Sequence, residues 1–523
     1  MKTSPMHREK IVLLFSFLTI GAIGVYSIFR VWTVAFTLHA LADYSTFQRV
    51  VNTVFIIVFW ISEMFLVFHS LGYFFTLLVS TFGYRRPYVE YALKDEAAVT
   101  ILIAAHDEPI KILRKTIIAC KYVDYYNYKV VLLDSCTTEE SCSQTTELAK
   151  DMGIEHFHVP QPRHGAKAGA INEYLAHATT PYIIILDADY RPSRNFVKLL
   201  VPQMEDHPDV AFIQTPQFYG NLSNSLISRA AQLQQSIFYE FICEGKSVNG
   251  GMFMCGTNLI VRTEALRAVG GFDENSITED FSTSLTLIKN GWEGRYYDYT
   301  TAFGDGPLNM QQFFSQQYRW ARGTLGVFMH NLIPILSPFS SLRFRQRYEY
   351  FLSGTYYFIG IVWMLFILFP VFYIFFKVPA YFADPFLYVL SYGPYFVFSF
   401  ALFIHSIVSR RYHFLDWLKS QSLVLITVPV YFRGSVDALL NRKADFTTTQ
   451  KDVEIDTVDW MRILPQYSLI LLVIASVLWG MMDLLLNGFE PSLAINVFWS
   501  AYHAFLLTYF LILLYAKGIN RKS

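Results

Sequence analysis

Long apolar runs near both ends of the chain constrain its fold more than any other feature of the sequence. A helix that crosses a membrane needs roughly 20 predominantly apolar residues, and six segments meet this requirement: residues 11–35, 51–79, 349–377, 386–409, 465–486 and 493–516. Only 16% of the 523 residues are charged, whereas soluble proteins average about 25%. No cleavage-site pattern follows the first run, so we interpret it as an anchor and not as a signal peptide. The sequence therefore predicts a multi-pass membrane protein.

The basic residues around these runs predict how the chain is oriented. Arg410 and Arg411 precede a shorter apolar stretch at 422–432, and Arg442 and Lys443 follow it. Loops rich in Lys and Arg stay in the cytosol, so we expect this stretch to lie at the membrane interface or to re-enter without crossing. Both termini and the polar centre are then cytosolic, in a protein of the plasma (inner) membrane.

The polar centre of the chain alternates short apolar strands with helical patterns. Strand candidates are AAVTILIA, KVVLLD, YIIILDAD, VAFIQTP and MFMCGTNLIV, and helical patterns such as ILRKTIIACKY and GAKAGAINEYLAHA lie between them. This alternation predicts an α/β fold with a doubly wound, mostly parallel sheet. We expect three regions: two membrane helices in 1–84, this cytosolic domain in 85–335, and interfacial helices with four further spans in 336–523.

Acidic residues follow several of the predicted strands. Asp134 ends KVVLLD, and Asp187 and Asp189 end YIIILDAD. Open α/β sheets bind ligands at the carboxyl ends of their strands, and paired carboxylates suit a hard divalent cation that carries phosphate oxygens. Such a pair is also common in turns, and the acids of residues 278–280 (TED) could equally form an ordinary helix N-terminus. Taken singly, each acid is a weak signal.

Charge and cysteine content argue against two other kinds of site. The formal net charge is zero, which gives no electrostatic attraction to nucleic acid. The five cysteines fall between residues 120 and 255 without a CxxC motif. We therefore expect reduced thiols in a cytosolic domain and no zinc site.

Taken in order, the motifs of the central region resemble those of the processive membrane-bound family 2 glycosyltransferases, and most closely the bacterial cellulose synthases. The resemblance runs from about residue 97 to residue 456. It is carried by Glu108-Pro109, HGAKAG (164–169), LDAD (186–189), QTPQF (214–218), FMCGT (253–257), TED (278–280), QQYRW (316–320) and DFTTTQKD (445–452). The last motif resembles the family's gating loop FxVTxK, with Thr448 in place of valine. The resemblance implies a cytosolic GT-A domain inserted between transmembrane helices, with a gating loop at about 441–456.

The resemblance also implies a role for each motif. The nucleotide-sugar donor would be held by Glu108, Asp134, Lys167, Asp187, Phe446, Thr449 and Lys451. A divalent cation, Mg²⁺ or Mn²⁺, would be bound by Asp189 and Asp187. Asp280 would be the general base, and the other catalytic residues would be Glu279, Gln316, Arg319 and Trp320. Trp320 would also carry the terminal sugar of the acceptor, beside Cys255, unless its ring is simply part of the core.

The function implied by the resemblance is processive, inverting synthesis of a β-linked polysaccharide from a UDP-sugar, coupled to its passage across the membrane. UDP-glucose and a cellulose-like β-glucan are the first expectation. A hyaluronan, chitin or mannan synthase, and a non-processive transferase of one sugar to a lipid carrier, stay open as alternatives. A transporter or receptor with a nucleotide-binding module is the alternative from another class.

The expected partners follow from the same resemblance. They are the UDP-sugar donor, the growing polysaccharide and the lipid bilayer, and an extracytoplasmic accessory subunit stays open as a further partner; nucleic acid is not among them. The sequence ends about seven residues after its last predicted span. We therefore expect no PilZ domain that senses cyclic di-GMP within these residues.

Overall fold

The computed structural model describes residues 5–85, 96–160, 162, 164–223, 225–379, 384–409, 413–442 and 460–520. The chain divides into two compact units. The first, here called the helical unit, comprises Met1–Leu78, Tyr356–Ser435 and Thr457–Ser523, and the second, the α/β unit, comprises Val79–Thr355 and Val436–Asp456. The α/β unit thus includes residues 336–355, which the sequence suggested as part of the membrane region.

The helices alternate with strands in the centre of the chain and are long and apolar near its ends. In chain order they are α1 (Pro5–Ala40), α2 (Thr46–Gly83), α3 (Ile110–Lys121), α4 (Glu139–Met152), α5 (Ala166–His177), α6 (Phe196–Glu205), α7 (Leu226–Ile237), α8 (Glu244–Asn249), α9 (Thr263–Ala268), α10 (Glu279–Lys289), α11 (Met310–His330), α12 (Leu332–Leu336), α13 (Phe344–Thr355), α14 (Ile359–Phe376), α15 (Pro385–Ser409), α16 (Phe414–Leu439), α17 (Trp460–Asn487) and α18 (Pro491–Asn520). Short 3₁₀ turns occupy Leu41–Asp43 and Tyr356–Phe358, and a π-helical turn occupies Phe238–Cys243.

The strands form two sheets in the α/β unit. They are β1 (Val99–Ala105), β2 (Tyr128–Asp134), β3 (Glu155–His158), β4 (Tyr182–Asp187), β5 (Arg191–Pro192), β6 (Val210–Gln214), β7 (Phe218–Tyr219), β8 (Leu259–Arg262), β9 (Glu293–Tyr296) and β10 (Ala302–Gly304). The large sheet has the order β3-β2-β1-β4-β8-β6-β9, and the small one has the order β5-β10-β7. In the large sheet only β8 runs antiparallel to its neighbours β4 and β6, which confirms the mostly parallel α/β fold.

The central strands are continuous apolar runs because helices cover both faces of the sheet. Ile101 and Ile103 of β1 are buried in one hydrophobic cluster with Leu113 of α3. Leu102, which points to the opposite face, is buried in a second cluster with Ile171 of α5. Two cores on either side of one sheet fix the strand register, so the loops after the strands hold constant positions.

Six helices among the described residues are long and apolar enough to cross a membrane: Lys10–Ala40, Thr46–Gly83, Phe344–Phe376, Pro385–His405, Leu415–Leu439 and Ile463–Asn487. These helices indicate a membrane protein. We expected residues 422–432 to be too short to span a membrane. This expectation about length was wrong, because α16 continues past this stretch at both ends. Its first turn is stabilised by an Asp416–Lys419 ion pair of 2.9 Å between residues three apart.

Two charged residues inside the apolar helices neutralise each other. Arg30 of α1 lies 2.6 Å from the Glu63 carboxylate of α2, and both side chains are buried. Tyr26 donates a further hydrogen bond to the same carboxylate. The pair joins two helices of the helical unit and satisfies charges that would be costly if they were isolated in apolar surroundings.

Candidate active site

The sheet brings three of the predicted acidic segments to one edge. Ala105 at the end of β1 pairs with Asp134 at the end of β2, and Ala104 pairs with Asp187 at the end of β4. The three strands are parallel neighbours, so the segments that follow them lie side by side. This edge is where an open α/β sheet binds its ligand.

The DAD acids lie at the turn that follows β4. Asp187 accepts a hydrogen bond from the ammonium of Lys167, and its side chain is 38% exposed. Asp189 is buried, and its Oδ2 accepts a hydrogen bond of 3.2 Å from the backbone N–H of Asp305. Carboxylate oxygens are the donors that Mg²⁺ prefers, so both side chains are of the chemical type that holds a hard divalent ion.

Lys167 joins three motifs of the sequence. It lies in the first turn of α5, after a loop that turns at Gly165 with a φ of +59°, a conformation that glycine adopts without strain. Its Nζ donates to Asp187 and, at 2.7 Å, to the carbonyl oxygen of Gly256. HGAKAG, LDAD and FMCGT therefore meet at one ammonium group.

An imidazole holds the HGAKAG loop against the segment that leads to TED. The two ring nitrogens of His164 lie 2.6 Å from Glu274 and 2.9 Å from Glu173. The hydrogen bond to Glu274, followed by that to Glu173, raises the pKa of His164. A Cβ atom at Gly165 would lie 2.6 Å from the side chain of Glu274, so the glycine lets these segments approach.

Asp280 is the best candidate for a base. Burial is the main cause that raises its pKa to about 7, and the neighbouring charge of Glu279 raises it further. The backbone N–H of Phe281 and then the charges of Lys167 and Arg319 act in the opposite direction. A carboxyl group that titrates near neutral pH is suited to accept a proton from a hydroxyl.

Glu279, the other acid of TED, is affected by the same groups as Asp280. Burial raises the pKa of Glu279, and the charges of Lys167 and Arg319 oppose this rise. Both acids therefore interact with the same two cations. The TED acids, the HGAKAG lysine and the QQYRW arginine are thus close enough to interact, and the roles that the resemblance implies for them stay predictions.

FMCGT is a loop of the site and not the start of a strand, because β8 begins only at Leu259. The expectation of a strand over MFMCGTNLIV was wrong for its first half, since glutamines of QTPQF take the backbone hydrogen bonds there. Gln214 Oε1 accepts from Cys255 N at 2.7 Å, and Gln217 Nε2 donates to Cys255 O at 2.5 Å. A Cβ atom at Gly256 would lie 3.2 Å from Asp280 Oδ2, so this loop touches the candidate base.

QQYRW lies in the middle of the long helix α11. Gln316, Arg319 and Trp320 are three and four residues apart and share one face of that helix; all three are partly buried. Burial raises the pKa of the Tyr219 hydroxyl, and a hydrogen bond with Gln316 opposes this rise only in part. The charge of Arg319 reaches both TED acids.

The opposite face of α11 carries two contacts that the sequence did not reveal. Tyr318, to which we assigned no chemistry, donates a hydrogen bond of 2.8 Å to Asp437. Four residues later, Arg322 donates to the carbonyl oxygen of Arg442 at 2.6 Å. These bonds attach α11 to the segment that precedes the predicted gating loop. Phe446, Thr449 and Lys451 of that loop lie outside the described residues.

The predicted base-binding residues follow β1 and β2. Glu108 is partly buried between the end of β1 and α3. His106 contacts the carbonyl oxygen of Ser135 through Nδ1 at 2.7 Å. Asp107 accepts bonds from the N–H and hydroxyl of Thr137; burial raises its pKa, but these bonds outweigh burial and lower it. The two loops are thus tied together.

Asp134 differs from the other predicted donor ligands because it is fully buried. Its carboxylate accepts bonds from Cys136 N at 3.1 Å, Thr145 Oγ1 at 2.5 Å and His156 Nε2 at 3.0 Å. In this arrangement Asp134 holds the loop after β2. The direct contact with a nucleotide that the resemblance implies stays a prediction.

The thiol prediction was wrong for two cysteines. Cys136 and Cys142 form a disulfide, whereas Cys120, Cys243 and Cys255 are free. The loop after β2 leads directly into α4, and this turn brings the two Cα atoms to 5.3 Å. The spacing of six residues gives no signal of this closeness.

Asp305 is an acid near the site that the sequence did not single out. It follows the three-residue strand β10, and its carboxylate pairs with Arg191 at 2.8 Å. Its backbone N–H donates a hydrogen bond to Asp189, the predicted metal ligand. The only sequence signal was an acid at a strand end, in AFGDGP, and so short a strand gives no recognisable pattern.

Comparison with known proteins identifies the domain. Residues 182–404 match the family described as Glycosyl transferase family group 2. The chain carries a family 2 glycosyltransferase domain. The matched residues begin at the start of β4 and end within α15.

Relatives of this family 2 domain extend the match over most of the chain. The cellulose synthase 1 catalytic subunit (UDP-forming) of Komagataeibacter xylinus is 27% identical over 444 residues, which is 81% of this chain and 57% of the relative. The cellulose synthase catalytic subunit (UDP-forming) of Pseudomonas fluorescens is 27% identical over 453 residues, or 82% of this chain and 59% of the relative. The chain thus spans less than two thirds of the length of these relatives.

Among solved structures, a mannosyltransferase from Pyrobaculum calidifontis in complex with GDP-Man and Mn²⁺ aligns with 83% of this chain and 100% of its own. Its sequence is 14% identical and the TM-score is 0.49. A likeness at this level carries no argument about the donor or the metal of the family 2 domain.

Proposed function

We propose that this chain is a processive, inverting glycosyltransferase that polymerises a β-linked polysaccharide from a UDP-sugar and moves the product across the membrane. The first choice is UDP-glucose and a cellulose-like β-glucan. The observation that carries the proposal is the convergence of Asp280, Lys167 and Arg319 in one site. A carboxyl that titrates near 7 beside two cations can serve a hydroxyl that loses a proton and a diphosphate that gains charge.

Asp280 acts on the acceptor. Its carboxylate takes the proton of the acceptor hydroxyl while the hydroxyl oxygen forms the bond to the anomeric carbon and the bond to the diphosphate breaks. One such displacement inverts the anomeric centre, so an α-linked UDP-sugar yields a β-glycoside. Glu279 makes its neighbour a stronger base, because its charge raises the pKa of Asp280.

Lys167 and Arg319 act on the leaving group. Lys167 stands beside Asp187, where its ammonium can meet a phosphate oxygen. The guanidinium of Arg319 offers a fork of donors that matches diphosphate oxygens. A Mg²⁺ or Mn²⁺ ion held by Asp189 and Asp187 would neutralise further charge on the diphosphate. Lys451, with Phe446 and Thr449, would complete the donor contacts from the gating loop.

We assign the acceptor and the donor base to different groups of residues. Sugars present apolar faces that pack on aromatic rings, and we assign this contact to Trp320, with Gln316 on the same helical face and Cys255 nearby. The donor base is assigned to Glu108 and to the loop that Asp134 holds. The two relatives are named as UDP-forming, which supports uracil as that base.

A cavity in the helical unit supports translocation. It has a volume of about 820 Å³ and is lined by aromatic and polar side chains, among them Tyr26, Glu63, Tyr392, Trp499 and Tyr502. Aromatic walls offer a sugar chain contacts that permit sliding, because stacking does not depend on one hydroxyl pattern.

The test is a donor screen with the purified chain in lipid, followed by digestion of the product with linkage-specific glycosidases. We expect UDP-glucose to give a polymer that a β-1,4-glucanase degrades. Asp280→Asn should abolish transfer and keep UDP binding, while the control Asp209→Asn on an exposed loop should keep both. Products with one sugar on a lipid would overturn processivity, and an active Asp280→Asn would overturn the base assignment.

A further inference from the structure

Three side chains with soft ligand atoms meet at the edge of the sheet, away from the carboxylates of the metal candidate. They are Cys136 after β2, Cys142 in the first turn of α4 and His158 at the end of β3. Their ligand atoms all lie within 4.8 Å of one another. The mechanism proposed above uses none of them.

The fold explains why the three residues converge. His158 pairs with Asp134 in the parallel register of β2 and β3, so it stands beside the start of the loop that Cys136 begins. Cys142 lies in the first helical turn after the N-cap residue Thr138, whose side chain accepts a hydrogen bond from Ser141 N. The first turn of a helix favours negative charge, which a thiolate at position 142 would carry.

We propose that Cys136, Cys142 and His158 form a metal site that binds a soft divalent cation such as Zn²⁺ when the disulfide is reduced. Zn²⁺ binds sulfur at about 2.3 Å and imidazole nitrogen at about 2.0 Å, so the sulfur and nitrogen of a tetrahedral site stand roughly 3.5 Å apart. Cys136 Sγ and His158 Nδ1 already have this separation, 3.5 Å. The side chain of Cys142 is partly exposed and can rotate to give the required separation of the sulfurs.

The chemistry of the switch between the two states is balanced. A dithiol reductant gives two electrons and two protons to the Cys136–Cys142 disulfide and becomes a cyclic disulfide. Zn²⁺ then displaces the two thiol protons and binds two thiolates and one neutral imidazole, with water in the fourth position. In the reverse direction a small disulfide accepts two electrons from the two thiolates and two protons from solvent, and it leaves as two thiols. The Cys136–Cys142 bond then forms again and the ion is released, so the disulfide and the metal exclude each other.

The site would order the loop between β2 and α4. Thr137, next to Cys136, donates two bonds to Asp107 in the loop that carries the predicted donor ligand Glu108. A metal at residues 136, 142 and 158 would be distinct from a Mg²⁺ or Mn²⁺ ion at the DAD acids. Thiolate and imidazole select Zn²⁺, whereas carboxylates select the harder ions.

The test measures the zinc content of the full chain. The purified protein is reduced with dithiothreitol under nitrogen, freed of reductant, equilibrated with Zn²⁺ in excess Mg²⁺, desalted and analysed by mass spectrometry of the metal. We expect one Zn²⁺ per chain in the reduced protein and none in the oxidised protein. Cys142→Ser and His158→Ala should weaken binding at least tenfold, whereas the controls Cys120→Ala and His207→Ala should bind as the unaltered chain does.

Two results would overturn the proposal. One is equal zinc content in the reduced unaltered chain and in the double variant Cys136→Ser/Cys142→Ser. The other is a disulfide that dithiothreitol leaves intact in the folded protein, with no zinc taken up. Cobalt provides a second readout, because Co²⁺ bound to thiolates absorbs light through a sulfur-to-metal transition that the serine variants would lack.

Discussion

At the scale of single residues, the proposed mechanism depends on Asp280, whose pKa burial raises into the neutral range. Because burial raises the pKa of Asp280 to about 7 and a base must be ionised, we expect kcat to fall below pH 7 and to level off above it. Glu279→Gln removes a neighbouring negative charge that raises this pKa. The acidic limb of the pH–rate profile should therefore move to lower pH in Glu279→Gln, whatever happens to the maximal rate.

The measurement is initial UDP release between pH 5.5 and 8.5, with the unaltered chain and Asp209→Asn as controls. A flat profile across this range would contradict the role of Asp280. An acidic limb that stays in place in Glu279→Gln would contradict the coupling between the two acids.

The same residue should reduce the stability of the protein at high pH. The pKa of Asp280 is about 7 in the fold, above the ordinary value of 3.8, so the folded state binds its proton more tightly than the unfolded chain does. The contribution of this proton to the free energy of unfolding is complete below about pH 4, and it is lost as the pH rises to about 7. The side chain of asparagine stays uncharged at every pH, so the Asp280→Asn variant does not lose this stability. Its melting temperature should therefore exceed that of the unaltered chain at pH 8.

This effect is read from melting curves at pH 5 and pH 8. The increase in melting temperature that Asp280→Asn gives over the unaltered chain should be larger at pH 8 than at pH 5. The control Asp209→Asn should change the melting temperature equally at both pH values. An Asp280→Asn protein that melts lower at pH 8 would show that the carboxylate is stabilised in the fold, contrary to the direction of the shift.

At the scale of elements, the sequence predicted strands that have a local apolar pattern, and it missed features that depend on contacts between distant parts of the chain. The apolar strands β1, β2 and β4 were found because burial on both faces leaves a continuous apolar run. FMCGT was taken as strand because its composition is apolar, but Gln214 and Gln217 bind its backbone from a distant part of the chain. The role of Tyr318 was missed because Asp437 is more than 100 residues away.

Helix α11 offers a test of how closely two elements must pack. A Cβ atom at Gly323 would lie 2.5 Å from the side chain of Thr278, the residue before the TED acids. Gly323→Ala should therefore displace the start of α10 and lower kcat at least tenfold, because small misplacements of a base are costly. Three residues later, a Cβ atom at Gly326 would meet only the end of the Arg322 side chain, at 2.9 Å.

Gly326→Ala is thus the matched control, with the same gain in helix propensity and a neighbour that can move. We expect it to keep activity within about twofold. Steady-state rates and melting curves of both variants give the comparison. Equal activity of the two variants would show that contact with Thr278 does not set the position of Asp280.

At the scale of the whole molecule, apolar runs were predicted well because length and composition alone define them. The extent of α16 was missed because polar residues such as Asp416 and Lys419 continue the helix beyond its apolar part. The Cys136–Cys142 bond was missed because pairing depends on a turn that the sequence does not reveal. The convergence of motifs at the carboxyl edge of the sheet was predictable only in outline, since contacts such as that of Lys167 with Gly256 need the folded chain.

The proposal that one chain both makes and moves its product predicts a sidedness that can be measured. The protein is reconstituted in sealed vesicles, and UDP-glucose is added outside, so that only molecules with the α/β unit outward are supplied with donor. Labelled polymer should then resist added glucanase until detergent opens the vesicles, because the aromatic cavity of the helical unit would have led it inside. The same enzyme added with detergent at the start should degrade the polymer as it forms. Polymer that is degraded at once in sealed vesicles would show synthesis without translocation, and would leave the cavity lined by Tyr392 and Trp499 without the role proposed for it.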